Sequence, residues 1–397
     1  MANITLNSST YAGYFSDVVI ASSVLGARTI ENGYITLHTN VDDKATAVFA
    51  DSAVSIDDAN GTFSSSSTTN LSEIKFTLGK YMINAEIDYK NLDNFWLAAQ
   101  QPRGAAGDYA APATLEDAFN AHFAQKASLF VGASIWGGSA AAITQFGSSQ
   151  GIAQGGTNAV TGLIDKMLAD STVNDVAVGG TYKQTISAFS KASDAEITVT
   201  SNADFAVGDT VTFESVVGSS GTDWSGLSGK SHAIKSLVST NKFTIELDTS
   251  GFTGTWSSGT VTCINKTNVV SALEAAYSAM ADSIRLAPDT AIYVPSRIAA
   301  AYKMAQAEAA YSPSVYSDSY KLSYLGYPLY EIPEMRPNAI VVSRVANLHF
   351  ATPLLSDLNS VLIADQASVN ASRTIRYRLD FCFDVNISDG KSITLLS

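Results

Sequence analysis

The segment RTIRYRLDFCFDVN, residues 373–386, constrains the fold more than any other stretch of the chain. Ile375, Tyr377, Leu379, Phe381, Phe383 and Val385 alternate with Arg376, Arg378, Asp380 and Asp384, and only Cys382 breaks the pattern. Successive side chains of a strand point to opposite faces, so this is one strand with an apolar face and a wet face. At about 3.3 Å per residue it runs roughly 35–40 Å, longer than most strands of compact enzymes. Extended, flat architecture follows.

The chain has 397 residues, 46% of them hydrophobic, enough for a sizeable core in two or three domains. Charged residues make up 15% and the net charge is −13, which repels free nucleic acid and anionic membranes and argues against tight, sequence-specific DNA binding. Cys263 and Cys382 stand far apart with no second thiol at ligand spacing, so both read as apolar fillers. The opening MANITLNSSTYAGYF lacks the basic and apolar regions of a signal peptide, and no run approaches the roughly 18 apolar residues of a membrane span. The chain is expected to be made and kept in cytosol.

Residues 1–30 show no helical repeat and read as an extended arm. Two strand-like runs, GYITLHTNV and EIKFTLGKYMINAEIDY, flank NGTFSSSSTTN, which suggests a long projecting hairpin with an exposed turn. Leu115, Phe119, Phe123 and Phe130 fall at helical multiples, with Thr114 and Asp117 placed much as in a capping box. TNAVTGLIDKMLAD fits a short helix after glycine-rich loops. Near residue 184 the composition turns to Ser, Thr and Gly with alternating apolar residues (AEITVTSNADFAVGDTVTFESV, NKFTIELDTSGFTGTWSSGTVT), which predicts a small all-β barrel or sandwich inserted over 184–265. Helical spacing resumes at Val270, Leu273, Tyr277, Met280 and Ile284, followed by a strand, TAIYV, and a helix started by Pro295 and Ser296. The alternation marks an α+β fold.

Chemical motifs are few. GSSQG (147–151) matches the G-x-S-x-G nucleophile elbow and nominates Ser149, with His349 or His232 as base, but IAQGGTN follows where the elbow needs a helix. SGLSGKSHA (225–233) ends like a phosphate loop at Gly229, Lys230 and Ser231, yet Trp224 stands where the first glycine belongs and strands follow, so it reads as a surface turn. His38, His122, His232 and His349 are isolated and form neither a zinc site nor a relay. Asp42–Asp43 and Asp57–Asp58 sit in polar turns where solvation explains them. No catalytic, cofactor-binding or metal residue is assigned. In SYLGYPLYEIPEMRP (323–337), Tyr324, Tyr327 and Tyr330 could line a ligand groove, but their spacing around Pro328 fits a strand entering a sheet with rings plugging a core.

The succession of helix, strand with Leu325-Gly326-Tyr327-Pro328, apolar strand and long terminal strand resembles the Hong Kong 97-type major capsid proteins of tailed bacteriophages. The resemblance implies an N-terminal arm (1–30), an E-loop region (31–90), and a peripheral domain with its spine helix at 114–131 and the start of the axial domain (91–183). Beyond the insertion it implies an axial domain (266–370) and a return to the peripheral domain (371–397). It implies a virion subunit that assembles in the host bacterial cytoplasm as pentamers and hexamers into an icosahedral head, with no enzymatic activity, cofactor or membrane contact. Its implied partners are copies of itself, a portal protein, a separate scaffolding protein, a decoration or head-fibre protein, and packaged double-stranded DNA held non-specifically. Some relatives crosslink an E-loop lysine to a neighbour's asparagine; Lys44, Lys75 or Lys80 with Asn359 or Asn370 would be the positions here, and ordinary solvation explains these lysines as well. The alternatives are an encapsulin-type nanocompartment shell, a serine hydrolase using Ser149, and a glycan-binding virion protein acting through the insertion.

Overall fold

The computed structural model describes residues 9–11, 24–39, 41, 46–53, 68–88, 115–137, 160–308, 322–353, 360–365 and 374–397. In chain order these form β1 (Ser9–Tyr11), α1 (Arg28–Glu31), β2 (Thr36–Thr39), β3 (Thr46–Ala53), β4 (Thr68–Lys75), β5 (Gly79–Asp88), α2 (Leu115–Gly137) and α3 (Leu163–Ala169). Next come β6 (Asn174–Asp175), β7 (Lys183–Thr185), β8 (Ala188–Phe189), β9 (Ala195–Thr198), β10 (Thr210–Gly218), β11 (Ser231–Ser239), β12 (Lys242–Ile245) and β13 (Trp256–Thr262). The remainder is α4 (Val269–Ser278), α5 (Asp282–Arg285), β14 (Thr290–Pro295), α6 (Ser296–Glu308), β15 (Ser323–Tyr324), β16 (Tyr327–Ile332), β17 (Ile340–Arg344), β18 (Leu348–Thr352), β19 (Ser360–Asp365), β20 (Thr374–Ile387) and β21 (Ile393–Leu396). The chain divides into two compact units, the first of Met1–Gly33, Leu37–Val131 and Phe350–Asn386, the second of Tyr34–Thr36, Gly132–His349 and Ile387–Ser397.

The first unit is organised by the 14-residue β20. Antiparallel β5 runs along it from Asp88↔Thr374 to Gly79↔Phe383, and β19 joins the opposite edge from Asp365↔Ile375 to Ser360↔Asp380. Tyr377, Leu379, Phe381 and Phe383 are buried while Arg376 and Arg378 stay exposed, as the alternation requires. Cys382 and Asp384 depart from it: both are buried on the face expected to be wet. Chain covers that face here, and the Asp384 carboxylate accepts the Thr77 N–H at 2.8 Å. Helix α2 lies on the apolar face, with Phe123 stacked on Tyr377 (4.4 Å between centroids) and Phe130 edge-on to Tyr81 and Phe381.

Two details differ from the sequence reading of this unit. The strand that pairs with β4 is β3, in a two-stranded ribbon of eight pairs from Thr46↔Lys75 to Ala53↔Thr68, whereas GYITLHTNV supplies β2 of the β20 sheet. The arm is not wholly extended, because Val24, Ala27 and Ile30 are buried at three-residue spacing beside the helical turn α1. The turn between β3 and β4 lies outside the described residues, as does Thr114.

The second unit contains a six-stranded sheet, β15-β16-β14-β17-β21-β6. The chain passes from β14 through α6 to β16, which pairs parallel with β14, the crossover that parallel strands require. β14 and β17 are almost wholly buried, and α4 and α6 close over them through Leu273, Ala276, Ile298 and Tyr302 against Ile292, Val294 and Val342. The tyrosine-rich stretch is part of this scaffold: Tyr324 is buried with its ring edge-on to Tyr302, and Leu325-Gly326 makes the turn between β15 and β16.

The insertion is an all-β barrel with strand order β7-β13-β10-β11-β12-β9-β8. It closes where β7 runs into β8: Ile186 N–H donates to Gly259 O of β13, and the next amide, Ser187, donates to Thr198 O of β9. Closure leaves no long unpaired edge. Phe213, Trp224, Phe243, Ile197, Ile245 and Val261 fill the interior, with buried Cys263 among them. Lys183 and Thr262, the ends of the barrel strands, are register partners.

Candidate functional site

The side chains with the most constrained chemistry gather where the barrel meets the rest of the second unit. Arg336, in the loop between β16 and β17, is buried and donates from Nη1 to Glu214 Oε1 of β10 and from Nη2 to Asp165 Oδ1 of α3, each at 2.6 Å. Burial works against the guanidinium's charge, but Glu214 and Asp165 outweigh it and hold its pKa above the usual value. For Glu214 the balance is opposite: desolvation exceeds the pull of Arg336 and raises its pKa. The seam therefore carries a partly balanced ion triad, an arrangement that fixes geometry more than it adds stability.

Two residues along the chain, Asn338 adopts a left-handed conformation (φ 60°), which asparagine tolerates, and turns its amide into the barrel. Its Nδ2 donates to Thr210 O (2.7 Å) and Thr262 O (3.1 Å), and its Oδ1 accepts the Ile264 N–H (3.1 Å). Thr212 Oγ1 donates to Pro337 O at 3.0 Å. The Arg336-Pro337-Asn338 tripeptide thus holds β10 and β13 through backbone and side chain together.

The phosphate-loop lookalike lies at the same seam, which corrects its reading as a surface turn. Gly229 has φ +80°, Ser231 is buried against Thr212, and a Cβ on Gly229 would come within 3.0 Å of Arg336 Nη2. Glycine is needed there for its backbone and to leave room for a guanidinium, not for a phosphate. Gly229→Ala is accordingly expected to cost about 1–2 kcal/mol for the left-handed backbone alone and more for the displaced arginine. Thermal unfolding checks this, with Gly226→Ala, whose Cβ would meet open space, as a near-neutral control.

A cavity of about 240 Å³ opens beside the triad, bordered by Arg336, Glu334, His232 and Thr210. Ser231 also lines it, its hydroxyl 2.8 Å from Thr212 Oγ1. His232 Nε2 is buried without a hydrogen-bond partner, and desolvation, aided by Lys230, lowers its pKa. His349 is buried in β18, His122 is exposed beside Phe123, and His38 packs on Phe76, so the described structure brings no two histidines together. Among the described residues no group of three or more His, Cys, Asp or Glu gathers as metal ligands, and no helix is long and apolar enough to cross a membrane. Ser149, the Asp42–Asp43 and Asp57–Asp58 pairs, Lys44, Asn359 and Asn370 lie outside the described residues. Lys75 and Lys80 are exposed. None of Arg336, Asn338, Glu214 and Asp165 was nominated by sequence, since each is unremarkable in its own neighbourhood.

No known family profile and no curated protein matches the sequence. Solved structures do align with the fold. A chain of the satellite phage P4 procapsid that includes the size determination (Sid) protein is 12% identical, with 96% of this chain and 97% of that one covered and a TM-score of 0.49. A chain from the capsid of a native GTA particle is 14% identical (100% and 93% covered, TM-score 0.45), and one from Mycobacterium phage Cain is 9% identical (98% and 95% covered, TM-score 0.44).

Proposed function

We propose that the chain is a shell-forming capsid subunit of a tailed bacteriophage, working by self-association and not by catalysis. The observation that carries this reading is the β3–β4 ribbon, eight residue pairs long, which joins none of the three larger sheets among the described residues. A two-stranded ribbon is marginal in water by itself and takes its stability from what it lies on, and in a shell that surface belongs to a neighbouring subunit. The ribbon belongs to the same unit as the long β20, along which α2 is laid.

In this role the chain assembles with copies of itself as pentamers and hexamers and meets a portal protein; a separate scaffolding protein and a decoration or head-fibre protein are further partners the role accommodates. Overlapping ribbons and arms bury far more than the roughly 1,600 Å² of a standard interface, so many weak contacts make one strong shell. The charge of −13 suits a container that must not grip its DNA. Electron microscopy and mass photometry of the protein expressed alone and with a scaffolding protein test the reading. Closed shells or five- and six-membered rings are expected; a persistent monomer or dimer under both conditions refutes it.

A further inference from the structure

We infer that Arg336 is a junction that couples the position of the inserted barrel to the C-terminal end of α2. The last carbonyls of a helix have no partner within it, and the negative end of its dipole favours a cation. Helix α2 ends in Gly-Ala-Ser-Ile-Trp-Gly, a stretch bounded by two glycines, with no basic residue in the last turn. Arg336 supplies what is missing: Nη2 approaches Gly137 O at 3.4 Å, while the same guanidinium holds Asp165 of α3 and Glu214 of the barrel. The Gly229 turn closes against it.

One planar group therefore serves the helix end, α3 and β10 at once. Its fork is rigid and its donors are divided among these partners, so it cannot follow one without leaving another. A load or partner that displaces the barrel is transmitted to the last turn of α2, and loosening of that turn releases the barrel. The inference stands on contacts within the second unit and does not rest on the capsid reading.

The test is hydrogen exchange by mass spectrometry on the full chain, with the perturbation made in the barrel and read at the helix. In Glu214→Leu, the amides of Ser134, Ile135, Trp136 and Gly137 are expected to exchange at least about threefold faster than in the native protein. Faster exchange in β10 with an unchanged helix end overturns the coupling. Lys235→Ala, which removes the exposed Lys235–Asp194 pair on the barrel surface, must leave the helix end unchanged; acceleration there would mean that any disturbance of the barrel reaches α2, and would equally overturn it. Should Glu214→Leu fail to fold, Glu214→Gln is measured in its place and judged by the same two outcomes.

Discussion

Phe383→Ala is expected to destabilise the first unit by about 3–5 kcal/mol, the cost of removing a fully buried phenylalanine whose surroundings collapse only in part. Phe383 has no solvent exposure, stacks on Phe350 and Tyr81 with centroids 5.6 and 5.1 Å away, and meets Phe130 of α2 edge-on. It is the ring at which β20, β5, β18 and the helix meet, so a cavity there loosens sheet and helix together. Denaturant unfolding, followed by aromatic fluorescence, measures the loss. Arg376→Ala on the opposite face of the same strand is the comparison. Its pair with Glu86 spans 3.4 Å and both side chains are more than half exposed, so no more than about 1 kcal/mol is expected there. A smaller effect at Phe383 than at Arg376 would mean that α2 is not seated on the sheet as described.

That contrast is legible in the sequence, because period-two alternation reports directly which residues face a core. The same signal exposed the barrel, where alternating apolar residues among Ser, Thr and Gly became β9 to β13. It failed wherever a third element intervened. Asp384 sits on the polar side of the alternation yet is buried, since Thr77 from elsewhere in the chain meets its carboxylate. VGASIW has poor helix propensity, but burial of every residue from Phe130 to Gly137 keeps α2 going past the expected end at 131. The first strand of the ribbon is β3 and not β2; GYITLHTNV has the stronger period-two pattern in sequence, whereas the small and polar residues of TAVFADSA hide an eight-residue strand. The seam was the least legible part: Glu214 lies 122 residues from Arg336 and Asp165 lies 171, and no local pattern announces pairs formed across such distances. What the order of parts conveyed about function came from architecture, and the described chemistry adds no competing site.

The seam also gives the second large effect, which turns on non-additivity. Arg336→Met in the full chain should cost about 3–5 kcal/mol, because the buried Glu214 and the partly buried Asp165 both lose their shared cation. The loss should be smaller near pH 5 than near pH 8. Glu214 has a folded-state pKa raised above its unfolded value, so the folded chain takes up its proton more readily, and the associated stability is present at low pH and lost as pH rises through the raised value. The informative comparison removes the barrel altogether. Lys183 and Thr262 are register partners, so residues 184–261 can be replaced by an Asn-Gly hairpin turn without moving either end. The seam is held chiefly by arginine, asparagine and threonine, whose polar groups find water once the barrel is gone, and Arg336 keeps Asp165 in a one-to-one pair. In that shortened chain Arg336→Met should cost no more than about 1 kcal/mol, since the pair is then exposed. A single methionine would thus do more damage with the barrel present than with it absent. Thermal unfolding of the four proteins closes the cycle, and equal costs in the two backgrounds would show that Arg336 serves only its own loop.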